Sequence, residues 1–240
     1  VNALPLQRLL LQPAAGQQVV ADHLPGMSPG YLYLHGMGSV RAGEKSSSLF
    51  SHASAQGRAA SRFDFRGHGE SSGDLGAVPI RHLVDDTLLL LDRLGPSILV
   101  GSSLGGLVAA LVAARHPGLV RGLALIAPAL GFMQRLEHRL APDGSMQTSD
   151  GRRFVVTREV LEDARQIDES GLPQAIHAPT LIVHGTADEV VPFAQSIAFH
   201  AGLAATRKQL WLVPDGDHRL NTFANAIWPR LDALLAGDHP

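Results

Sequence analysis

The chain contains no cysteine, which removes disulfides, thiolate metal sites and a cysteine nucleophile from consideration. It carries no basic excess either. The formal net charge is −2 and no run of basic residues offsets it, so the electrostatic footprint of a nucleic-acid or anionic-membrane binder is missing. Long apolar runs are also missing: the longest, Leu119 to Met133, is interrupted by Arg121 and Pro128 and is too short to span a bilayer. No internal repeat, low-complexity tract or signal-peptide pattern is visible, and the absent initiator Met leaves room for a trimmed leader. Lysine is scarce, occurring only as Lys45 and Lys208 in a chain rich in Arg, Ala, Leu and Gly. That usage points to a GC-rich bacterial genome; the lack of cysteine fits a reducing cytoplasm and also permits export, and a cytoplasmic protein is the expectation.

What is present describes a globular enzyme-sized unit. The 240 residues suit a single domain spanning 1–240 with one insertion, and 45% apolar against 18% charged residues allows a large buried core. Residues 6 to 24 alternate around Pro13 to Gly16 as a leading hairpin. Short β-rich runs then recur at 31–36, 62–67, 97–103, 123–129, 180–185 and 209–214. Between them, 80–94 carries an apolar stripe of helical period ending at Gly95-Pro96. Residues 104–116 are apolar nearly all round, as on a helix buried against a sheet, and 194–203 and 222–235 complete the set, the last bending at Pro229. Apolar strands alternating with helices imply a mostly parallel sheet covered on both faces, with its chemistry at the carboxyl ends of the strands. One interval is too long for a plain crossover: about fifty residues separate the run at 123–129 from that at 180–185. Within it Phe132, Met133, Leu136 and Leu140 predict a short amphipathic helix, Ser149-Asp150-Gly151 a turn, and Thr157 a cap for a helix reaching Ile167. We read 130–178 as a lid over the strand ends, with Phe132, Met133 and Leu136 as substrate-binding residues.

Every chemically suggestive motif falls at a strand end. Gly101-Ser102-Ser103-Leu104-Gly105 fits G-x-S-x-G between strand and helix, where a nucleophile stands on a turn too tight for side chains two residues to either side. Only Ser103 has the flanking glycines, so Ser102 is a decoy. His35-Gly36-Met37-Gly38 ends the first parallel strand, and amides of Met37 and Leu104 are the expected oxyanion donors, His35 being a packing residue. His184-Gly185-Thr186-Ala187-Asp188 follows the next-to-last strand and Asp215-Gly216-Asp217-His218 the last. A serine needs a base within hydrogen-bond reach, and the base needs a carboxylate. His218 is the base and Asp188 the carboxylate, with Asp215 and Asp217 as rivals better suited to turns. No spacing sets two histidines together for a metal, and no cofactor is required. Asp64 to Ser71, DFRGHGES, suits a loop beneath the site that Arg66 ties in.

Taken together, HGMGS, DFRGHGESSG, GSSLGG, HGTADEVVP and DGDHRL resemble the α/β-hydrolase superfamily over nearly the whole chain. More narrowly, DRLGPSILVGSSLGGL and the final DHRL are similar to the mitochondrial abhydrolase-domain palmitoyl-protein thioesterases, which also hydrolyse acyl glucuronides, and their bacterial relatives. The resemblance implies an α/β-hydrolase fold with Ser103, Asp188 and His218 as a catalytic triad. Its substrate would be a small-molecule ester or thioester with a hydrophobic acyl group, cleaved through an acyl-enzyme. Other chemistry of the same triad (a carbon–carbon hydrolase, a perhydrolase, an aminopeptidase) stays open at this point, as does a non-catalytic binder.

Overall fold

Strands that alternate residue by residue between two buried faces can form only the middle layer of a sandwich, and β5 (Ser97–Ser102) shows this most directly. Its Leu99 joins one hydrophobic core while Ile98 and Val100 join the other. The computed structural model describes residues 5–132, 136–148 and 151–237. Among these, the leading hairpin is β1 (Gln7–Leu11) and β2 (Val19–Leu24), followed by β3 (Met27–Leu34), α1 (Glu44–Ala55), β4 (Arg58–Asp64) and α2 (Ile80–Leu94). After β5 come α3 (Leu104–Arg115) and β6 (Val120–Ile126). The interval before the next strand of the main sheet holds β7 (Ser145–Gln147), β8 (Arg153–Val155), α4 (Arg158–Arg165) and α5 (Leu172–Ala175). The chain ends through β9 (Thr180–Gly185), α6 (Ala194–Gly202), β10 (Lys208–Val213) and α7 (Ala224–Ala236).

The main sheet has the order β1-β2-β4-β3-β5-β6-β9-β10. β1 and β2 are antiparallel to their neighbours, and from β4 onward every pairing is parallel. Residues of α2, α3 and α6 fill the core on one face, and those of α1 and α7 fill the other. α3 lies at the centre, with every residue from Leu104 to Ala113 buried, which accounts for a sequence with no polar stripe. α2 spans the predicted residues and stops at Gly95 (φ 79°), and α7 continues through Pro229.

The interval between β6 and β9 departs from expectation in part. The amphipathic helix predicted through Phe132, Met133, Leu136 and Leu140 falls partly on residues outside the described ones, Met133 among them; its described end forms a 3₁₀ turn at Glu137–Arg139. Its described apolar side chains are buried, Phe132 at 7% and Leu136 at 2% exposure. The Thr157 cap is present, its hydroxyl accepting from the Val160 amide ahead of α4. Ser149 and Asp150 lie outside the described residues, while Gly151 donates its amide to Thr148 O. The β7–β8 hairpin reaches back to the start of the chain's catalytic end, where Arg152 Nη2 donates to Gly38 O at 2.6 Å.

Beneath the strand ends, the DFRGHGES loop is held by a buried ion pair. Arg66 Nε donates to Asp86 Oδ1 at 2.7 Å, its amide to Oδ2 at 3.0 Å, and its other nitrogens to Gln17 Oε1 and His82 O. The Asp86 side chain is fully buried. Burial outweighs the Arg66 contacts and pushes its carboxyl up to about 6. Arg66→Met should therefore destabilise the fold by about 3–5 kcal/mol at pH 8, because a buried carboxylate loses its cation. A raised carboxyl contributes stability in its protonated form, so that loss should shrink as pH falls through about 6. Urea midpoints at pH 8 and pH 5 test this, and equal losses at both would contradict it.

Candidate active site

The turn from β5 into α3 forces Ser103 into a conformation that L residues rarely adopt, φ 53° and ψ −116°. Such strain costs on the order of 1–3 kcal/mol and persists only where the surroundings over-determine it. Here the Ser103 amide donates to Ile126 O at 2.9 Å, and its carbonyl accepts from the Gly106 and Ala129 amides. The two glycines are sterically required. A Cβ on Gly101 would lie 2.3 Å from Gly105 O, and one on Gly105 would lie 2.2 Å from Leu34 O. The second clash is with β3, not with the other arm of the turn, so the motif records how closely α3 approaches the neighbouring strand.

His218 follows β10 and extends Nε2 to 3.0 Å from Ser103 Oγ. Its Nδ1 lies 2.7 Å from Asp188 Oδ2, on the loop after β9. The Asp188 side chain is fully buried and that of His218 is 16% exposed. Burial alone would raise the Asp188 carboxyl, but hydrogen bonds from His184, His218 and the Val191 amide outweigh it and hold the group well below the usual carboxylate range. Oδ1 accepts from the amides of Val190 and Val191, both at 2.8 Å. The structure thus brings Ser103, His218 and Asp188 into one hydrogen-bonded line. It does not bring Asp215 or Asp217 into that line: Asp217 Oδ1 accepts from the Leu220 amide, and Asp215 sits at φ 55° with its amide on Thr186 Oγ1.

The loop after β3 runs beside the serine, close enough that a methyl on Gly36 would stand 3.3 Å from Ser103 Cβ. Met37 and Leu104 line one cavity with Ser103, and Leu104 heads α3, where first-turn amides have no partner in the helix ladder. His35 is buried with both ring nitrogens occupied, Nδ1 donating to Gly36 O and Nε2 accepting the Phe65 amide, and burial pushes it down to about 3. It is a packing residue.

Two unlike spaces flank Ser103. On one side, a cavity is lined by Met37, Leu104, Ala129, Phe132, Met146 and Val191, with Arg139 stacked on the Phe132 ring at 5.2 Å. A narrower apolar crevice shares Met37, Leu104 and Met146 with it and adds Leu136, Phe154 and Val160. On the other side, a polar cleft is lined by Tyr33, Ser39, Glu44, Lys45, Arg219 and Asn221. Lys45 Nζ donates to Arg219 O and Asn221 Oδ1, and burial pushes its ammonium down to about 8. Sequence reading missed this cleft, because Lys45 belongs to a helix it did not detect, and missed Met146 and Phe154, which lie on three-residue strands. Among the described residues no group of three or more His, Asp or Glu side chains is arranged to hold a metal, and no helix is long and apolar enough to cross a membrane.

The chain matches the family described as Hydrolase_4, serine aminopeptidase S33, over residues 31–149 and 150–222. It is 29% identical over 216 residues to the mitochondrial palmitoyl-protein thioesterase ABHD10 of Mus musculus, across 84% of this chain and 73% of that protein. The solved structure of α/β hydrolase domain-containing protein 10 from mouse superposes with a TM-score of 0.84 at 25% identity, covering 96% of this chain and 99% of the other. Est1E from Butyrivibrio proteoclasticus, solved with ferulic acid bound, shares the fold at a TM-score of 0.79 and 20% identity, covering 94% and 99%.

Proposed function

Because the chain belongs to the serine aminopeptidase S33 family of α/β hydrolases, we propose that it is a serine hydrolase that cleaves carboxylic esters or thioesters with a hydrophobic acyl group. The observation that carries this reading is the line from Asp188 through His218 to Ser103 opening onto an apolar cavity. His218 Nε2 takes the Ser103 proton, and the alkoxide attacks the carbonyl carbon. Amides of Met37 and Leu104 hold the oxyanion. His218 returns the proton to the leaving group, which departs on the Lys45 side, and water then repeats the sequence on the acyl-enzyme. Asp188 stays ionised throughout. No cofactor takes part.

In this reading residues 1–240 form one hydrolase domain in a bacterial cytoplasm, and 130–178 is its lid. The similarity to a palmitoyl-protein thioesterase supports an acyl substrate. An aminopeptidase would need a carboxylate near Ser103 to hold the substrate's ammonium group. Among the described lining residues, the acyl-side cavity has Arg139 and no carboxylate, while Glu44 lines the polar cleft beside Ser103, so an aminopeptidase would have to hold the amine in the cleft, not in the apolar space.

A panel of p-nitrophenyl esters, acyl-CoA thioesters and acyl glucuronides tests the assignment. Each buried CH₂ contributes roughly 0.8 kcal/mol, about fourfold in kcat/KM, until the cavity is full. Chains of about four to ten carbons should therefore outrun acetate, and Phe132→Ala should flatten the slope. A strict acetyl preference would show that the apolar space does not receive the acyl group.

A further inference from the structure

The histidine that ends β9 is unused by the mechanism above, yet it touches the carboxylate on which that mechanism depends. His184 is fully buried. Its Nε2 lies 2.9 Å from Asp188 Oδ2 and 3.0 Å from Val191 O, and its Nδ1 lies 2.7 Å from Ser196 Oγ on α6. The two Nε2 partners can only accept, so Nε2 carries the hydrogen and Nδ1 accepts the Ser196 hydroxyl. Ser196 is itself fully buried. The result is one chain of hydrogen bonds, Ser196 to His184 to Asp188 to His218 to Ser103, of which only the last three members belong to the proposed triad.

We propose that His184 is a positioning residue that tunes His218 by taking a share of the same carboxylate oxygen. The inference rests on the functional reading above. Two consequences follow from the geometry. Asp188 receives four donors, two amides on Oδ1 and two imidazoles on Oδ2, so its carboxylate cannot turn away from His218. The negative charge on Oδ2 is also divided. His218, as an imidazolium during turnover, meets a carboxylate already partly neutralised by His184, and is a weaker base than it would be beside an undivided one. Among the described residues the other charged groups around the pair include Asp215, Asp217 and Arg219 on the His218 loop, Glu189 beside Asp188, Glu44 and Lys45 from α1, and Arg139, which lines the acyl-side cavity with His218. None is altered when His184 is replaced, so a change in the pH profile reports on His184.

The experiment compares wild type with His184→Leu, His184→Gln and Ser196→Ala, as full-length chains. It measures kcat/KM against pH for a p-nitrophenyl ester, fluorophosphonate labelling of Ser103, and far-UV circular dichroism. In His184→Leu the acid limb of the profile should move to higher pH by roughly one unit, as Asp188 turns its full charge on His218. The plateau should fall roughly tenfold, as expected for one lost hydrogen bond to a charged group. A Gln amide can donate from the Nε2 position, so His184→Gln should restore the limb and most of the plateau. Ser196→Ala, which weakens His184 as a donor without opening a large cavity, should move the limb in the same direction by less. If His184→Leu does not fold, Ser196→Ala decides: a moved limb supports the inference and an unmoved one overturns it. Folded variants that lose activity with the limb unmoved, Gln no better than Leu, would make His184 merely structural. A wild type that fluorophosphonate does not label at Ser103 would instead overturn the functional reading beneath it.

Discussion

Ser103→Ala is expected to lose on the order of 10⁶ in kcat, the scale seen when a serine nucleophile is removed from a triad. The fold should survive, because the turn is held by backbone hydrogen bonds to Ile126, Gly106 and Ala129, which alanine keeps. Ser102→Ala should retain most activity. Its hydroxyl bonds to Tyr33, and the ring nitrogens of His218 bond to Asp188 and Ser103 instead, so its loss should read as about 1 kcal/mol of stability and little in turnover. A fluorophosphonate probe should label wild type and Ser102→Ala but not Ser103→Ala. Equal losses from the two substitutions would mean that the serine carrying the strained φ is not the nucleophile.

How far such a site can be read from sequence depends on whether each part leaves a steric or periodic trace. The turn at Ser103 does, since the clashes at Gly101 and Gly105 leave glycine as the only residue that fits. α2 does as well, through an apolar stripe that repeats with the helix. α1 does not. Only Ser46, Leu49 and Ala53 of its twelve residues are buried, and a helix that presents a serine and an alanine to the core has no stripe to find. The polar cleft went unread with it, because Lys45 stands on that helix. β7 and β8 are three residues each, shorter than a period-2 pattern can establish, and they carry Met146 and Phe154 into the apolar spaces. Of the two helices expected in the β6–β9 interval, the one capped by Thr157 is present, and the one through Phe132 and Leu136 falls partly outside the described residues. Phe132 and Leu136 are buried at turn positions, and turns impose no fixed spacing.

Asp188→Asn should lose roughly 10⁴ in kcat, while Asp215→Asn should lose less than about tenfold. The asparagine can keep its carbonyl toward the amides of Val190 and Val191, which fixes the side chain as the carboxylate was fixed. Its NH₂ then faces both His218 Nδ1 and His184 Nε2, where two imidazoles had been donors. His218 can answer only by moving its hydrogen to Nε2, the nitrogen that must accept from Ser103, so the base is lost with the geometry intact. Asp215 offers no such conflict, since its backbone, and not its carboxylate, is what the loop uses. The same substitution has a stability signature. A carboxyl held below its usual range contributes stability that is present above about pH 4 and lost as pH falls through its folded value. Asp188→Asn should therefore be clearly less stable than wild type at pH 7, with the gap narrowing in acid. Turnover at saturating substrate for both variants, with urea midpoints at pH 7 and pH 3, separates the two aspartates. A near-active Asp188→Asn beside an inactive Asp215→Asn would move the acid to the loop after β10 and leave Ser103 and His218 in place.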